Sequence, residues 1–97
     1  MAEIKIELDE KGHGGFFEME GAETIGEMEV GIQENNMTVY HTEVAAKAEG
    51  KGIAKKLLQT MVDYARKHHL MVTALCPFVL AQFQRHPATY ADIWNRK

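Results

Sequence analysis

The chain opens with strict alternation. In EIKIEL, residues 3–8, Ile4, Ile6 and Leu8 share one parity while Lys5 and Glu7 share the other. That period of two predicts a half-buried strand. DEKGHGG then supplies turn residues, and FFEME reads as a second strand. Gly21-Ala22-Glu23 turns the chain into TIGEMEVGI, where Met28, Val30 and Ile32 oppose Glu27 and Glu29 in parity. QENN is polar and turn-like. MTVYHTEVA, rich in β-branched and aromatic residues, is the fourth strand. Four strands joined by short turns predict an antiparallel meander.

The period changes after Gly52. Ile53, Leu57, Met61 and Tyr64 recur at helical spacing with Ala54, Leu58 and Ala65, and Lys55, Lys56, Gln59, Asp63 and Arg66 fill the other side. This predicts an amphipathic helix that fades near His68 and His69, where basic residues suit the negative end of the dipole. LMVTALC is almost wholly apolar and reads as a fifth strand covered on both faces. With the fourth strand and the helix it makes a β-α-β unit. Pro77 suits the first position of a second helix, with Cys76 at the cap. The Arg85-His86-Pro87 run ends that helix, and Tyr90 and Trp94 fall four apart on a short closing helix. The expected fold is α+β: one domain over residues 1–97, with a mostly antiparallel five-stranded sheet, one crossover helix and C-terminal helices.

Composition narrows the picture further. The 97 residues leave no room for a second core. A net charge of −3 disfavours a general nucleic-acid surface. No apolar run approaches a membrane span, and the Met-Ala-Glu start lacks an apolar signal core. The only cysteine, Cys76, has no internal disulfide partner, so a reducing, cytoplasmic setting is expected.

One local feature stands apart. Gly50 and Gly52 flank Lys51 directly before the helix, with Lys47, Lys55 and Lys56 close by in sequence. A helix start offers unpaired amides at its positive end, and glycine lets a ligand approach the backbone. The pattern suits a phosphate or pyrophosphate cradle; equally, the glycines ease a turn and the lysines solvate a helix. A Walker loop does not fit the spacing, and the dinucleotide pattern G-x-G-x-x-G fails because Lys55 ends it. Lys47-Ala48-Glu49-Gly50-Lys51-Gly52 resembles the acyl-CoA loop of the GNAT N-acetyltransferase superfamily, Q/R-x-x-G-x-G/A, with Lys47 in place of Gln or Arg. The flanks YHTEVAAKAEGKGIAKKLL and ALCPFVLAQFQRHPATY resemble a small, single-domain GNAT-like subfamily.

That resemblance implies acetyl-CoA or coenzyme A as cofactor. Its pyrophosphate would lie on the backbone of Glu49, Gly50, Lys51, Gly52, Ile53 and Ala54, and its pantetheine arm along Glu43, Val44, Ala45 and Ala46. The thioester would lie where the fourth and fifth strands splay apart. The implied reaction is attack of an amine on the thioester, with a base to take the amine proton and an acid for the departing thiolate. Cys76, at the end of the fifth strand and facing a helix N-terminus, is a candidate nucleophile or proton donor, or an inert buried thiol. A helix start in that position can favour the thiolate. His41 and Glu43 share a face of the fourth strand and are candidate bases, or plain strand residues. His86 is a weaker candidate. The remaining histidines show no metal-ligand spacing, and no metal is expected. Phe78, Phe83, Tyr90 and Trp94 read as packing residues.

Leu8 and Phe16 are separated only by DEKGHGG, where full-sized members of that superfamily place one or two helices. The acceptor half is therefore reduced. The expectation is an acetyl-CoA-dependent acyltransferase acting on an unidentified amine or protein acceptor, as a monomer or weak homodimer. The alternative is an acyl-CoA-binding sensor or carrier without turnover.

Overall fold

The computed structural model describes residues 3–96. Its strands are β1 (Glu3–Leu8), β2 (His13–Glu20), β3 (Glu23–Gln33), β4 (Asn36–Val44) and β5 (Met71–Ala74). Its helices are α1 (Ile53–Lys67), α2 (Pro77–Arg85) and α3 (Pro87–Tyr90). The sheet order follows the chain, β1-β2-β3-β4-β5. The first three pairings are antiparallel and β4–β5 is parallel, bridged by α1. This is the α+β meander with one crossover helix that the alternation and the change of period predict.

One face of the sheet carries α1. Phe16 meets Tyr64 of α1 edge-on at 5.6 Å between ring centroids. Phe16 lies opposite Met28, and Met28 opposite Thr42, so these three share the helix-bearing face. Ile53, Leu57, Leu58, Met61, Val62 and Ala65 of α1 are buried there with Phe16, Met28, Val30, Met37 and Val39. Gly26 lies in the same face. A Cβ built on it would come within 2.6 Å of Ile53 Cγ2 and 3.4 Å of Leu57 Cδ1. The absence of a side chain at residue 26 therefore sets how closely the first turns of α1 approach the sheet. On the other face Phe17 is half-buried, while Glu29, His41 and Glu43 are exposed.

β4 changes parity midway. Val30 pairs with Val39 but Glu29 pairs with His41, so Tyr40 is an extra residue in a β-bulge. Met37 and Val39 face α1 before the bulge; Thr42 and Val44 do so after it. His41 and Glu43 are thereby turned to the open face.

Two details depart from the sequence expectation. LMVTALC is not a strand covered on both faces. β5 is the last strand of the sheet; within it only Val72 is buried, Met71 is 38% exposed, and Leu75 just beyond is 60% exposed. Its run of apolar residues reflects a short strand whose outer edge is closed by the chain's end. Trp94 supplies that closure. It is not on a closing helix: α3 stops at Tyr90, and residue 94 forms a parallel bridge to Val72. Its indole packs edge-on against Phe83, at 5.6 Å, and Tyr90 stacks on Phe83 at 4.7 Å. Arg66 of α1 holds this segment by hydrogen bonds to Asp92 and to the carbonyl of Thr89. The guanidinium keeps the Asp92 carboxyl below its ordinary value of 3.8. Among the described residues no helix is long and apolar enough to cross a membrane.

Gly26→Ala tests the packing of α1. The added methyl must displace Ile53 or the helix, so a loss of roughly 1–2 kcal/mol is expected after allowing for the stiffer unfolded chain. The midpoint of urea unfolding reads it.

Candidate functional site

After Val44 the chain makes one 3-10 turn, Ala46–Ala48, pinned by the buried Ala48. The amides of Ala48 and Glu49 donate to the carbonyls of Ala45 and Ala46, at 2.9 and 3.3 Å. Gly50 and Gly52 then take φ of +84° and +75°. This left-handed backbone is open to glycine without strain and costly for other residues. Gly52 is the N-cap of α1. The first bond of the helix runs from the Lys56 amide to the Gly52 carbonyl, at 3.1 Å.

Among the described residues, the amides of Gly50 through Lys55 have no protein acceptor. The usual device, a Ser, Thr, Asp or Asn side chain at the cap, is missing. The first turn of α1 holds no acidic residue either. A Cβ placed on Gly50 or Gly52 would meet nothing within 4 Å, so the space above both glycines is open. A row of donors, the positive end of a 15-residue helix and open space together have the features of an anion seat. Lys51 and Lys55 are exposed and unpaired among the described residues; Lys47 is bound to Glu23, which raises its pKa.

Beside this seat the sheet opens. β4 and β5 pair from Asn36–Met71 to Val39–Ala74 and no further. The amides of Leu75 and Cys76 both converge on the Val39 carbonyl, at 3.0 and 2.9 Å. Residues 40–44 of β4 run on without a β5 partner, and the bulge at Tyr40 marks the parting. Cys76 lies at that point as the N-cap of α2. It is 2% exposed, and its Sγ is 3.3 Å from Thr42 Oγ1.

The structure therefore brings the loop residues Glu49 to Ala54 and Cys76 to the two ends of one open stretch of β4. The Glu49 amide is engaged with Ala46, and the free series runs one residue further, to Lys55. Val44, Ala45 and Ala46 join strand to loop and line a shallow depression with Thr24, Ile25, Gly26 and Glu27. His41 and Glu43 form a pair of their own, with Nε2 and Oε1 at 3.6 Å, on the exposed face. They alternate away from Thr42, which holds Cys76, so the three candidate catalytic residues do not share one contact.

Sequence reasoning missed two features. Thr42 shares the parity of Val44, but its contact with Cys76 depends on the bulge. Glu18 is fully buried beside the core, with Oε2 at 2.8 Å from Lys56 Nζ and Oε1 without a partner among the described residues. Its parity with Phe16 was the available signal. Through Lys56 it ties the first turn of α1 to β2.

Gly52→Ala should lower stability by about 1 kcal/mol, because alanine is strained at that φ and relieves no cavity. Gly52→Asn should lose less, since asparagine tolerates the left-handed region and can cap a helix. Chemical denaturation of both variants checks the order.

A family model described as GCN5-related N-acetyl-transferase matches residues 16–93. A search of curated proteins gives no match. Among solved structures, a GCN5-like protein from Staphylococcus aureus, determined by NMR, superposes with a TM-score of 0.70 at 24% identity, covering 96% of this chain and 89% of that one. A ribosomal-protein-alanine N-acetyltransferase from Brucella melitensis biovar Abortus 2308 superposes at 0.62 with 19% identity, over 91% of this chain and 65% of that one. The ribosomal-protein-S18-alanine N-acetyltransferase of Escherichia coli gives 0.60 at 14% identity, over 67% of this chain and 42% of its own. The chain thus spans less than two thirds of the length of these two enzymes.

Proposed function

Because the chain belongs to the GCN5-related N-acetyltransferase family, we propose that it binds acetyl-coenzyme A at the open start of α1 and transfers the acetyl group to an amine. The single observation that carries this reading is the unpaired series of amides from Gly50 to Lys55, beneath open space. A diphosphate fits such a row of donors, which a cap side chain would otherwise occupy. Lys51 and Lys55 add mobile positive charge at the rim. The amide-rich pantetheine arm suits the unpaired edge of β4, residues 40–44, as an added strand would.

When bound, acetyl-CoA supplies an activated thioester carbonyl. The chain's own part is to orient it and to move protons. On the open face, Glu43 and His41 form an exposed pair able to accept a proton from an incoming ammonium, one residue either side of Thr42. Cys76, whose Sγ lies 3.3 Å from Thr42 Oγ1 where the strands part, is the group we assign to return a proton to the departing thiolate. Its burial favours a proton donor over an open nucleophile. A second reading, binding without turnover, has its own support. Only residues 9–12 separate β1 from β2, so no helices between them build an acceptor site.

Calorimetric titration with acetyl-CoA should show one site, and ATP, lacking the pantetheine arm, should bind more weakly. At a hundred times Kd the ligand should stabilise the fold by about 2.7 kcal/mol in thermal unfolding. Release of free coenzyme A in the presence of amines or peptides supports the enzyme; binding with no release from any acceptor supports the second reading. Absence of binding overturns both. Cys76→Ala should bind acetyl-CoA as before and turn over roughly a hundredfold more slowly. Intact mass after exposure to acetyl-CoA should show no acetyl adduct on the native chain; an adduct lost in that variant would make Cys76 the nucleophile.

A further inference from the structure

We propose that β1 is a self-complementary edge through which two copies of the chain pair, joining their sheets into one antiparallel sheet about a two-fold axis at Ile6. β1 is the terminal strand, and its outer edge has no partner among the described residues. Unpaired edges template further strand pairing unless something blocks them.

The hydrogen-bond phase of β1 is fixed by its hairpin. The Asp9 amide donates to the His13 carbonyl at 2.8 Å, and the register runs Leu8–Gly14, Glu7–Gly15, Ile6–Phe16. In an antiparallel pair, bonded and non-bonded residues alternate. Glu7, Lys5 and Glu3 therefore bond inward to β2, while Ile4, Ile6 and Leu8 present N–H and C=O outward. A two-fold axis can pass through a bonded pair, at Ile4, Ile6 or Leu8, or through a non-bonded pair, at Lys5 or Glu7. Centred on Lys5 or Glu7, it would set that charge against its own copy where side chains lie closest. Centred on Ile4, it would carry Ile6 and Leu8 past the start of β1 in the other copy. Centred on Ile6, it makes Ile6 exchange both bonds with its own copy and sets Ile4 against Leu8. It also places Lys5 opposite Glu7 of the other copy, twice, at the non-bonded sites where side chains lie closest. Centred on Leu8, it would set Glu7 against Asp9.

The side chains agree with that register. Lys5 and Glu7 are exposed and have no ion-pair partner within the described chain. Ile6 is 43% exposed, on the face that carries α1, with Ile4 and Leu8 partly buried beside it. The principal contacts of α1 are with β2, β3 and β4, so this apolar row lies at the margin of what the helix covers. Lysine on an edge ordinarily deters pairing; here the register gives it a carboxylate. The pairing ends at Glu3, which meets Asp9 of the other copy, and the Asp9 carboxylate is already turned onto the amides of Lys11 and His13. The anion seat after β4 lies three strands away and stays open.

Sedimentation equilibrium of the full chain, from micromolar to millimolar, should show a reversible monomer–dimer equilibrium. Lys5→Glu alone and Glu7→Lys alone each place like charges opposite, twice, and should weaken the homodimer by roughly tenfold or more. The double variant, Lys5→Glu with Glu7→Lys, should restore it. Mixing the two single variants should give a heterodimer. Both positions are exposed, so circular dichroism should show every variant folded. A chain monomeric at every concentration, or a dimer indifferent to these reversals, would overturn the proposal.

Discussion

A helix start whose amides are left without acceptors is the constraint on which the rest of this molecule turns. Four unpaired donors are the ordinary lot of any helix, and most chains satisfy one with a cap side chain. Here Gly52 caps α1 in a left-handed conformation with no side chain to contribute. The open series extends back to Gly50, itself left-handed. Keeping those donors aimed at solvent rather than relaxed into another turn requires a rigid support. The support is visible: Ala48 buried beneath the loop, Ile53 and Leu57 seated on Gly26, and Lys56 tied to the buried Glu18.

The second element is the divergence of β4 and β5. Parallel pairing stops where Leu75 and Cys76 both bond to Val39, one residue before the extra residue in β4. The bulge does two things at once. It marks where the free edge of residues 40–44 begins, and it exchanges the faces of the strand beyond it. Thr42 is brought onto Cys76, while His41 and Glu43 are sent to the open face. On the proposed reading, the open amides at one end of the free edge and the buried thiol at the other would bracket a long, diphosphate-bearing ligand.

Most of the fold was legible in the sequence because it rests on two periodicities. Period two set the four meander strands to within three residues at each end, and period 3.6 set α1. The helix-start glycines were legible because left-handed backbone and open space both need glycine. What was not legible depends on contacts between distant segments. The apolar run 70–76 looks the same whether a strand is covered on both faces or closed at its edge by the chain's end, and only the Val72–Trp94 bridge decides. The spacing of Tyr90 and Trp94 fits a helix, and their backbone does share an i to i+4 bond. Pairing with β5 and packing on Phe83 nevertheless draw residue 94 into a bridge. The bulge at Tyr40 leaves no trace in YHTEV, so alternation could place His41 with Glu43 but could not say which face they share.

The most direct test is residue-resolved. Amide ¹H–¹⁵N spectra of the uniformly labelled chain, recorded during titration with coenzyme A, report which donors acquire an acceptor. The account predicts that the amides of Gly50 through Lys55 undergo the largest shifts and become protected from solvent exchange, while those of β1 and β2 stay still. Saturating coenzyme A that leaves these amides unshifted, or that perturbs only residues elsewhere on the sheet, would contradict it.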